Sequence, residues 1–154
     1  MGRGIMFITK EQDYAVRTIC ALFHMNMMTV KEICDKEKIP VNYAYKILKK
    51  LENAELVEGI KGSKGGYVLV KKPTNISLLD VLFATTKDMY INKCLKPGFV
   101  CENNKDNRCL FQEMFNQIQS EVLHAFKEKT IAECVGCEVF SKRKQQDNGK
   151  QAAN

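Results

Sequence analysis

The sequence predicts a mainly α-helical fold with a small β-hairpin, and three observations support this prediction. Three segments in the first 55 residues have apolar side chains at helical spacing. Two short stretches of β-branched and aromatic residues then flank a glycine-rich turn near residue 63. A long amphipathic stretch follows residue 109. At 154 residues, with 45% hydrophobic residues, the chain can form one domain and an appendage.

Capping boxes mark where the first two helices begin. Thr9 and Gln12 form one box and open a helix predicted over 10–26. Thr29 and Glu32 repeat the signature and open a second, shorter helix. The second helix is expected to end near Lys38.

A tight turn at Pro40 leads to a third helix, which Asn42 is predicted to cap. One face of this helix is apolar, and the other carries the lysines Lys46, Lys49 and Lys50. Helix, short helix, tight turn and helix is the helix-turn-helix arrangement, whose last helix enters the DNA major groove. Tyr43, Tyr45 and Lys46 are expected to lie at or near the bases, and Lys49 on phosphates. The full set of DNA contacts predicted on this helix is Asn42, Tyr43, Tyr45, Lys46, Lys49 and Lys50.

A glycine-rich hairpin follows, with strands predicted over 56–60 and 67–70. Glycines allow close approach of the backbone to a partner, and lysines can reach phosphates. The tip residues expected to contact DNA are Lys61, Ser63, Lys64 and Gly65. A phosphate-binding P-loop is excluded, because that motif opens a helix and a strand follows here. The hairpin therefore predicts the wing of a winged helix-turn-helix domain.

Charge is concentrated in the first half of the chain. Residues 1–72 carry thirteen Lys and Arg against eight Asp and Glu, a net +5 of the formal total of +6. A basic half beside a nearly neutral half favours a polyanion such as double-stranded DNA as partner. A solvated lysine face is the alternative.

Three cysteines, Cys94, Cys101 and Cys109, mark a polar loop predicted over 87–108, after a short helix capped by Ser77. Their gaps of six and seven residues favour a soft-metal centre wider than one ion. Tetrahedral zinc sites usually contain a tighter pair, with about two to four residues between ligands. The loop therefore predicts an iron–sulfur cluster first, zinc second, unligated redox thiols third and structural cysteines last.

A long helix is predicted from Cys109 to about Lys129. Its apolar residues recur every four positions, at Leu110, Met114, Ile118 and Val122. Such a helix, coming after the domain has closed, is expected to pack on a second subunit and form a homodimer. Two-fold symmetry would then pair two DNA half-sites.

These patterns divide the chain into four parts. They are a DNA-binding domain over 1–84, a cysteine-rich cluster-binding loop over 85–108, a dimerisation helix and C-terminal turn over 109–137, and a disordered basic tail over 138–154. No apolar run could cross a bilayer, and there is no signal-peptide pattern, so a cytoplasmic protein without a membrane partner is expected. The odd number of cysteines, seven, favours ligands or redox thiols over a disulfide framework.

The motif order resembles IscR/NsrR-type winged-helix regulators of the Rrf2 family over residues 6–133. The motifs that carry the resemblance are Thr9, Tyr14-Ala15-Val16-Arg17, Tyr43, Gly62 to Tyr67, Ser77-Leu78-Leu79-Asp80 and the three cysteines. The resemblance implies a dimeric bacterial transcription factor whose cysteines hold a [2Fe–2S] or [4Fe–4S] cluster. In such proteins the cluster reports nitric oxide, iron supply, cluster demand or redox state.

The chain departs from this family pattern in three places. The cysteine gaps are longer than the usual five residues, and Gln112 stands where cluster-homeostasis members have a histidine ligand. Asp13 matches the aspartate that nitric-oxide-sensing members supply from the partner subunit, although a carboxylate stabilised by the helix dipole is the alternative. Cys134 and Cys137 have no expected counterpart. We expect them to be unligated thiols in a frayed segment, with a disulfide or completion of a metal site as alternatives.

The sequence thus predicts a DNA-binding transcriptional regulator, a repressor, whose DNA affinity is controlled by an iron–sulfur cluster. An enzyme is not expected, because no catalytic triad or cofactor motif is present. A redox or electron-transfer enzyme or thiol switch that uses the cysteine loop stays open as the alternative, as does a scaffold that binds other partners. Salt-dependent DNA binding would separate these hypotheses.

Overall fold

The computed structural model describes residues 7–86, 88–102 and 109–136. The elements in chain order are α1 (Lys10–Met25), β1 (Met27–Met28), α2 (Val30–Glu37), α3 (Val41–Asn53), β2 (Val57–Ile60), β3 (Gly66–Leu69), α4 (Leu78–Thr85) and α5 (Leu110–Glu128). The predicted mainly α-helical fold with a winged helix-turn-helix and a long C-terminal helix is confirmed. The predicted tail over 138–154 lies outside the described residues.

Both predicted capping boxes are present. Thr9 Oγ1 accepts a hydrogen bond from the Gln12 backbone N–H at 3.2 Å, and Gln12 Oε1 accepts one from the Thr9 backbone N–H at 2.8 Å. The Glu32 carboxylate likewise accepts from the Thr29 backbone N–H at 2.7 Å and from its hydroxyl at 2.9 Å. These two hydrogen bonds, the backbone one first, lower the pKa of Glu32.

The helix α3 begins two residues earlier than predicted, at Val41, and Asn42 does not cap it. Pro40 is the cap residue, with a φ of −60° and no side-chain hydrogen bond to the helix. Its carbonyl accepts from the backbone N–H groups of Tyr43 and Ala44, at 2.9 and 3.0 Å. The prediction for Asn42 as a cap was wrong because proline already fixes the backbone that starts a helix.

The sheet has three antiparallel strands in the order β1–β3–β2, where the sequence predicted only the two strands of the wing. Residues of β1 pair with Val68 and Tyr67 of β3. The wing hairpin pairs Val57 with Leu69 and ends where Ile60 faces Gly66. Two glycines shape its tip: Gly62 has a φ of +123°, and a side chain at Gly65 would collide with the Ile60 carbonyl.

One hydrophobic core lies between α1, α2, α3, α4 and the sheet. Its largest fully buried side chains in these elements are Ile19, Leu22, Ile33, Ile47, Leu48, Leu51, Val57, Val81 and Leu82. The spacing of these residues on α1 and α3 follows the apolar faces that the sequence predicts. The opposite face of α3 is consequently left to solvent.

The segment after α5 belongs to this same core. Residues 131–136 are helical, and Ile131 and Val135 are fully buried in the cluster. The Ile131 backbone N–H donates to the Ile76 carbonyl at 2.9 Å, and the Leu78 N–H donates to the Lys129 carbonyl at 2.7 Å. The expectation of a frayed segment is therefore wrong up to residue 136. The Thr130 backbone N–H donates to the Glu133 carboxylate at 2.8 Å, as in a capping box. This local signal predicts a helix start, but it could not show that Ile131 and Val135 would be buried in the core.

Truncating Ile131 should measure how much this segment stabilises the core. We expect Ile131→Ala to lower the free energy of unfolding by about 2–5 kcal/mol, because a fully buried isoleucine leaves a cavity. Urea unfolding followed by circular dichroism would measure the change. The same substitution at the exposed Ile60 is the control, and equal effects at both sites would contradict the role of Ile131.

Candidate nucleic-acid interface and cysteine loop

The outward face of α3 is a polar and aromatic surface. Because Ala44, Ile47, Leu48 and Leu51 are buried on the inner face, the other side chains point away from the core. The exposed side chains predicted to contact DNA are Asn42, Tyr43, Tyr45, Lys46 and Lys49. Aromatic, amide and cationic side chains on one helix face are suited to contact the base edges in a DNA groove and the phosphates beside it.

Tyr43 is oriented by a second tyrosine. Its ring meets the ring of Tyr14 on α1 edge to face, with centroids 5.7 Å apart. The Arg17 guanidinium lies 6.0 Å from the centroid of that Tyr14 ring. Edge-to-face contacts restrict both rings, so Tyr43 extends from α3 in a defined direction although it is exposed.

The three lysines of α3 differ in their partners. Lys46 is exposed, and Lys49 forms a surface ion pair with Glu52 at 3.2 Å. The Lys50 ammonium lies 2.9 Å from the Glu11 carboxylate and donates to the Thr85 carbonyl at 2.8 Å. The structure therefore does not place Lys50 with the outward-facing side chains, since its ammonium links α3 to α1 and to the end of α4.

The tip of the wing is exposed at three of the predicted contact residues, Lys61, Ser63 and Lys64, while Gly65 is partly buried. The Gly65 backbone N–H donates to the Gly62 carbonyl at 3.0 Å, which closes the turn. The two lysine side chains thus extend from a turn whose backbone is fixed.

No helix in the described part of the chain has the length and apolar character needed to cross a membrane.

The predicted cysteine loop contains a short 3₁₀ turn, Lys93–Leu95, that holds Cys94. Asn92 caps this turn by accepting from the Cys94 backbone N–H at 3.2 Å. Cys101 lies further along the loop, and Cys109 is the residue directly before α5. All three thiol-bearing residues are partly exposed, while residues 103–108 of the loop lie outside the described residues.

The donors of this loop fit an iron–sulfur cluster in their chemistry. Three partly exposed cysteines supply the thiolates that such clusters require. Among residues 7–86, 88–102 and 109–136, however, no three His, Cys, Asp or Glu side chains form a ready metal site. A cluster held by Cys94, Cys101 and Cys109 would therefore require the loop to close around it.

Asp13 lies on the outer face of α1 and forms an ion pair with Arg17 at 2.9 Å. Both side chains are about half exposed. They line a surface cavity of about 720 Å³ together with Cys20 and His24. A carboxylate at such a surface can reach a group on another subunit. The role of Asp13 as a ligand supplied by the partner subunit stays a prediction.

The remaining cysteines differ in environment. Cys34 is buried in α2, and burial, followed by the charge of Asp35, raises its pKa, which keeps it a neutral thiol. Cys20 packs partly buried against the core. Cys134 lies in the helical segment 131–136, and Cys137 lies outside the described residues.

One side of α5 is apolar and exposed. Leu110, Met114 and Ile118 are 79%, 47% and 42% exposed, and Val122 is partly buried. Phe111, next to this row, is also exposed. The core of the described chain leaves Leu110, Met114 and Ile118 largely uncovered, and the packing of this row on a partner subunit stays a prediction.

Comparison with protein families decides the class of protein. The model of the Rrf2 family, described as iron-dependent transcriptional regulator, matches residues 8–136. This chain belongs to the Rrf2 family of transcriptional regulators. The Rrf2 match spans the winged helix, the cysteine loop and α5, and it confirms the resemblance seen in the sequence.

Two Rrf2 relatives are regulators of the kinds named in the sequence analysis. The chain is 25% identical over 153 residues to the HTH-type transcriptional regulator IscR of Photorhabdus laumondii, covering 96% of this chain and 91% of the relative. It is 28% identical over 108 residues to the HTH-type transcriptional regulator NsrR of Shouchella clausii, covering 68% of each chain. These relatives are regulators and not enzymes, so an enzymatic role is set aside.

A solved structure supports the fold. The structure of CymR, the global cysteine regulator of B. subtilis, superposes with a TM-score of 0.69 at 21% identity and covers 86% of this chain and 98% of CymR. At this identity the likeness shows that the Rrf2 fold is shared. The ligands and signals of this Rrf2 protein have to be argued from its own residues.

Two glutamines of α5 contribute to the loop in a way the sequence reading missed. Gln112, considered only as a poor metal ligand, donates to the Cys94 carbonyl at 2.9 Å. Gln119, not considered at all, is buried against residues 89–91. The available signal was the seven-residue spacing of the two amides, which places them on one face of the helix.

Proposed function

We propose that this Rrf2 regulator binds double-stranded DNA as a homodimer, with affinity controlled by an iron–sulfur cluster on Cys94, Cys101 and Cys109. The observation that carries the proposal is the position of these residues. They lie on the loop and cap that lead into α5, whose apolar side is exposed, behind a winged helix with an outward polar face. A group bound there would connect the DNA-binding domain to the exposed apolar side of α5, where we expect the two subunits to meet.

The DNA contacts follow from the exposed side chains. The outward face of α3 enters the major groove with Tyr43, Tyr45 and Lys46 near the bases, while Lys61 and Lys64 of the wing contact phosphates. Because bacterial DNA lies in the cytoplasm, we expect the protein there. Repression would follow if the bound dimer blocks transcription at its site.

The dimer seam is formed by Leu110, Met114, Ile118 and Val122 of both subunits. The exposure of Leu110, Met114 and Ile118 in one chain supports this role, because exposed apolar patches often mark an interface. Two recognition helices would then be held at a distance set by the seam.

A bound iron–sulfur cluster supplies a reversible link that nitric oxide, oxidants or iron shortage can break. The three cysteines would hold it, and the fourth position would be filled by Asp13 of the partner or by Cys134 or Cys137. When the link is present, it would join Cys101 to Cys94 and to Cys109 at the start of α5. When it is lost, the loop can move and shift the two DNA-binding domains between two arrangements.

Two measurements test the proposal directly. An absorption spectrum of anaerobically purified protein, with iron and sulfide analysis, should show a cluster. DNA binding measured with and without it should differ in affinity for one operator. A protein that contains no iron or sulfide under these conditions, or that binds DNA equally in both forms, would contradict the proposal.

Replacing Lys64 tests the contact of the wing with phosphates. Lys64→Ala should weaken binding to all DNA sequences and lower the slope of log affinity against log salt by about one. Fluorescence anisotropy at several salt concentrations measures this slope. Lys127→Ala, which removes an exposed lysine of α5, should leave the slope unchanged. An unchanged slope in Lys64→Ala would remove this residue from the interface.

A further inference from the structure

The middle of α5 holds the base of the cysteine loop through one buried side chain. Gln119 is only 9% exposed. Its Oε1 accepts from the Ile91 backbone N–H at 2.8 Å, and its Nε2 donates to the Met89 carbonyl at 2.8 Å. The amide thus pairs with the backbone on both sides of Tyr90, as a residue of a neighbouring strand would. Both of its hydrogen bonds go to the loop.

A second glutamine holds the loop at Cys94 itself. Gln112 lies seven residues before Gln119, two helical turns away and on the same face. Its Nε2 donates to the Cys94 carbonyl at 2.9 Å, while Asn92 accepts from the Cys94 N–H at 3.2 Å. Both backbone polar groups of Cys94 are therefore bonded by side chains, which fixes the position from which its thiol extends.

Cys109 is tied to the same end of α5. It directly precedes the helix, and its carbonyl accepts from the Glu113 backbone N–H at 3.1 Å. Gln112 belongs to this same first turn, so its bond holds the Cys94 backbone at the end of α5 that Cys109 precedes. Cys101 lies on the part of the loop between these two tied residues.

We infer that Gln112 and Gln119, the glutamine clamp, are positioning residues that hold Cys94 beside the start of α5. Cys94 then has a fixed backbone position from which its thiol can reach a cluster. This inference rests on the proposed function, because it concerns how the three cysteines reach one cluster. This role also explains why a glutamine stands at position 112. The Gln112 amide binds the loop backbone and leaves the ligation of a cluster to the thiols.

Hydrogen exchange tests the clamp in the metal-free protein. Gln119→Leu removes both loop hydrogen bonds, so the Ile91 backbone N–H should exchange roughly tenfold faster. Gln117→Leu is the matched control, because Gln117 is an exposed residue of the same helix and donates to Glu121 within it at 3.1 Å. NMR of the full chain resolves this amide. Equal exchange in both variants would overturn the clamp.

Cluster retention then tests whether the glutamine clamp positions Cys94 for a cluster. After reconstitution with iron and sulfide, Gln119→Leu and Gln112→Leu should lose the cluster to a chelator at least about tenfold faster than the parent chain and Gln117→Leu. Gln112 is only partly buried, so its variant keeps the test valid if Gln119→Leu does not fold.

The outcomes separate the two proposals. Faster Ile91 exchange together with parental cluster retention would overturn the positioning role, because the clamp would then hold the loop without affecting the ligands. A parent chain that takes up no cluster would instead overturn the proposed function, and the inference with it. Faster exchange and faster cluster loss, confined to the clamp variants, would support the inference.

Discussion

Replacing Met114 by glutamate is expected to separate the proposed dimer into monomers. Met114 lies in the middle of the exposed apolar row of α5. Burying such side chains contributes roughly 1.5–3 kcal/mol each, and burying an unpaired carboxylate costs more. The two-fold seam contains each substitution twice, so the dimer dissociation constant should rise at least about a hundredfold. Sedimentation velocity at decreasing concentration measures it.

A charge elsewhere on the same helix controls for general effects of glutamate. Ser120 is exposed and lies about half a turn around the helix from Ile118, away from the apolar row. Ser120→Glu should leave the dimer intact. If Met114→Glu stays dimeric at concentrations where the parent begins to dissociate, the assignment of the seam is incorrect. DNA affinity should fall together with the loss of the dimer.

Replacing any of the three cysteines by alanine is expected to abolish the cluster. Cys101→Ala is the most direct test, because it removes a thiol from the part of the loop between the two tied cysteines. Iron and sulfide content and visible absorption should fall to background, and DNA affinity should become that of the cluster-free protein. Cys34→Ala, at a buried thiol in α2, is the control for general loss of cysteine. Retention of the cluster in Cys101→Ala would exclude this thiol as a ligand.

The same assay distinguishes the candidates for the fourth ligand. If Asp13 of the partner completes the site, Asp13→Ala should give a cluster with altered spectrum or stability, and Cys137→Ala should have no effect. A carboxylate oxygen is a weak ligand for iron and easily displaced, which suits a sensor. An unchanged cluster and nitric oxide response in Asp13→Ala, with cluster loss in Cys137→Ala, would reverse the preference.

Most of the fold could be predicted because its signals are local. A capping box needs only residues three apart, and α1 and α2 begin where these boxes predict. The strand β1 could not be predicted, since two residues show no alternation and their pairing is with distant Tyr67 and Val68. Asn42 was misread because the effect of Pro40 on the backbone is as strong a signal as a polar cap.

The sequence predicted which residues belong to the candidate site better than it predicted how they are arranged. Helical spacing placed Tyr45 and Lys46 on the exposed face of α3, and the structure agrees. The same spacing could not reveal that Lys50 contacts Glu11, because that partner lies on another helix. Gln119 could not be assigned for a similar reason, since its seven-residue spacing from Gln112 indicates a shared helix face but not the loop backbone that the amide binds.

The burial of Ile131 and Val135 has a consequence for the order of events during synthesis. A ribosome releases the winged helix before the loop and α5, and domains usually fold as they emerge. Here Ile131 and Val135 are fully buried in the same cluster as Ile76, so we expect this core to stay incomplete until residues 131–136 have been made. We therefore expect a nascent chain to complete its DNA-binding unit only after the cysteine loop has been made. Incomplete chains would then have little capacity to occupy an operator without their sensor.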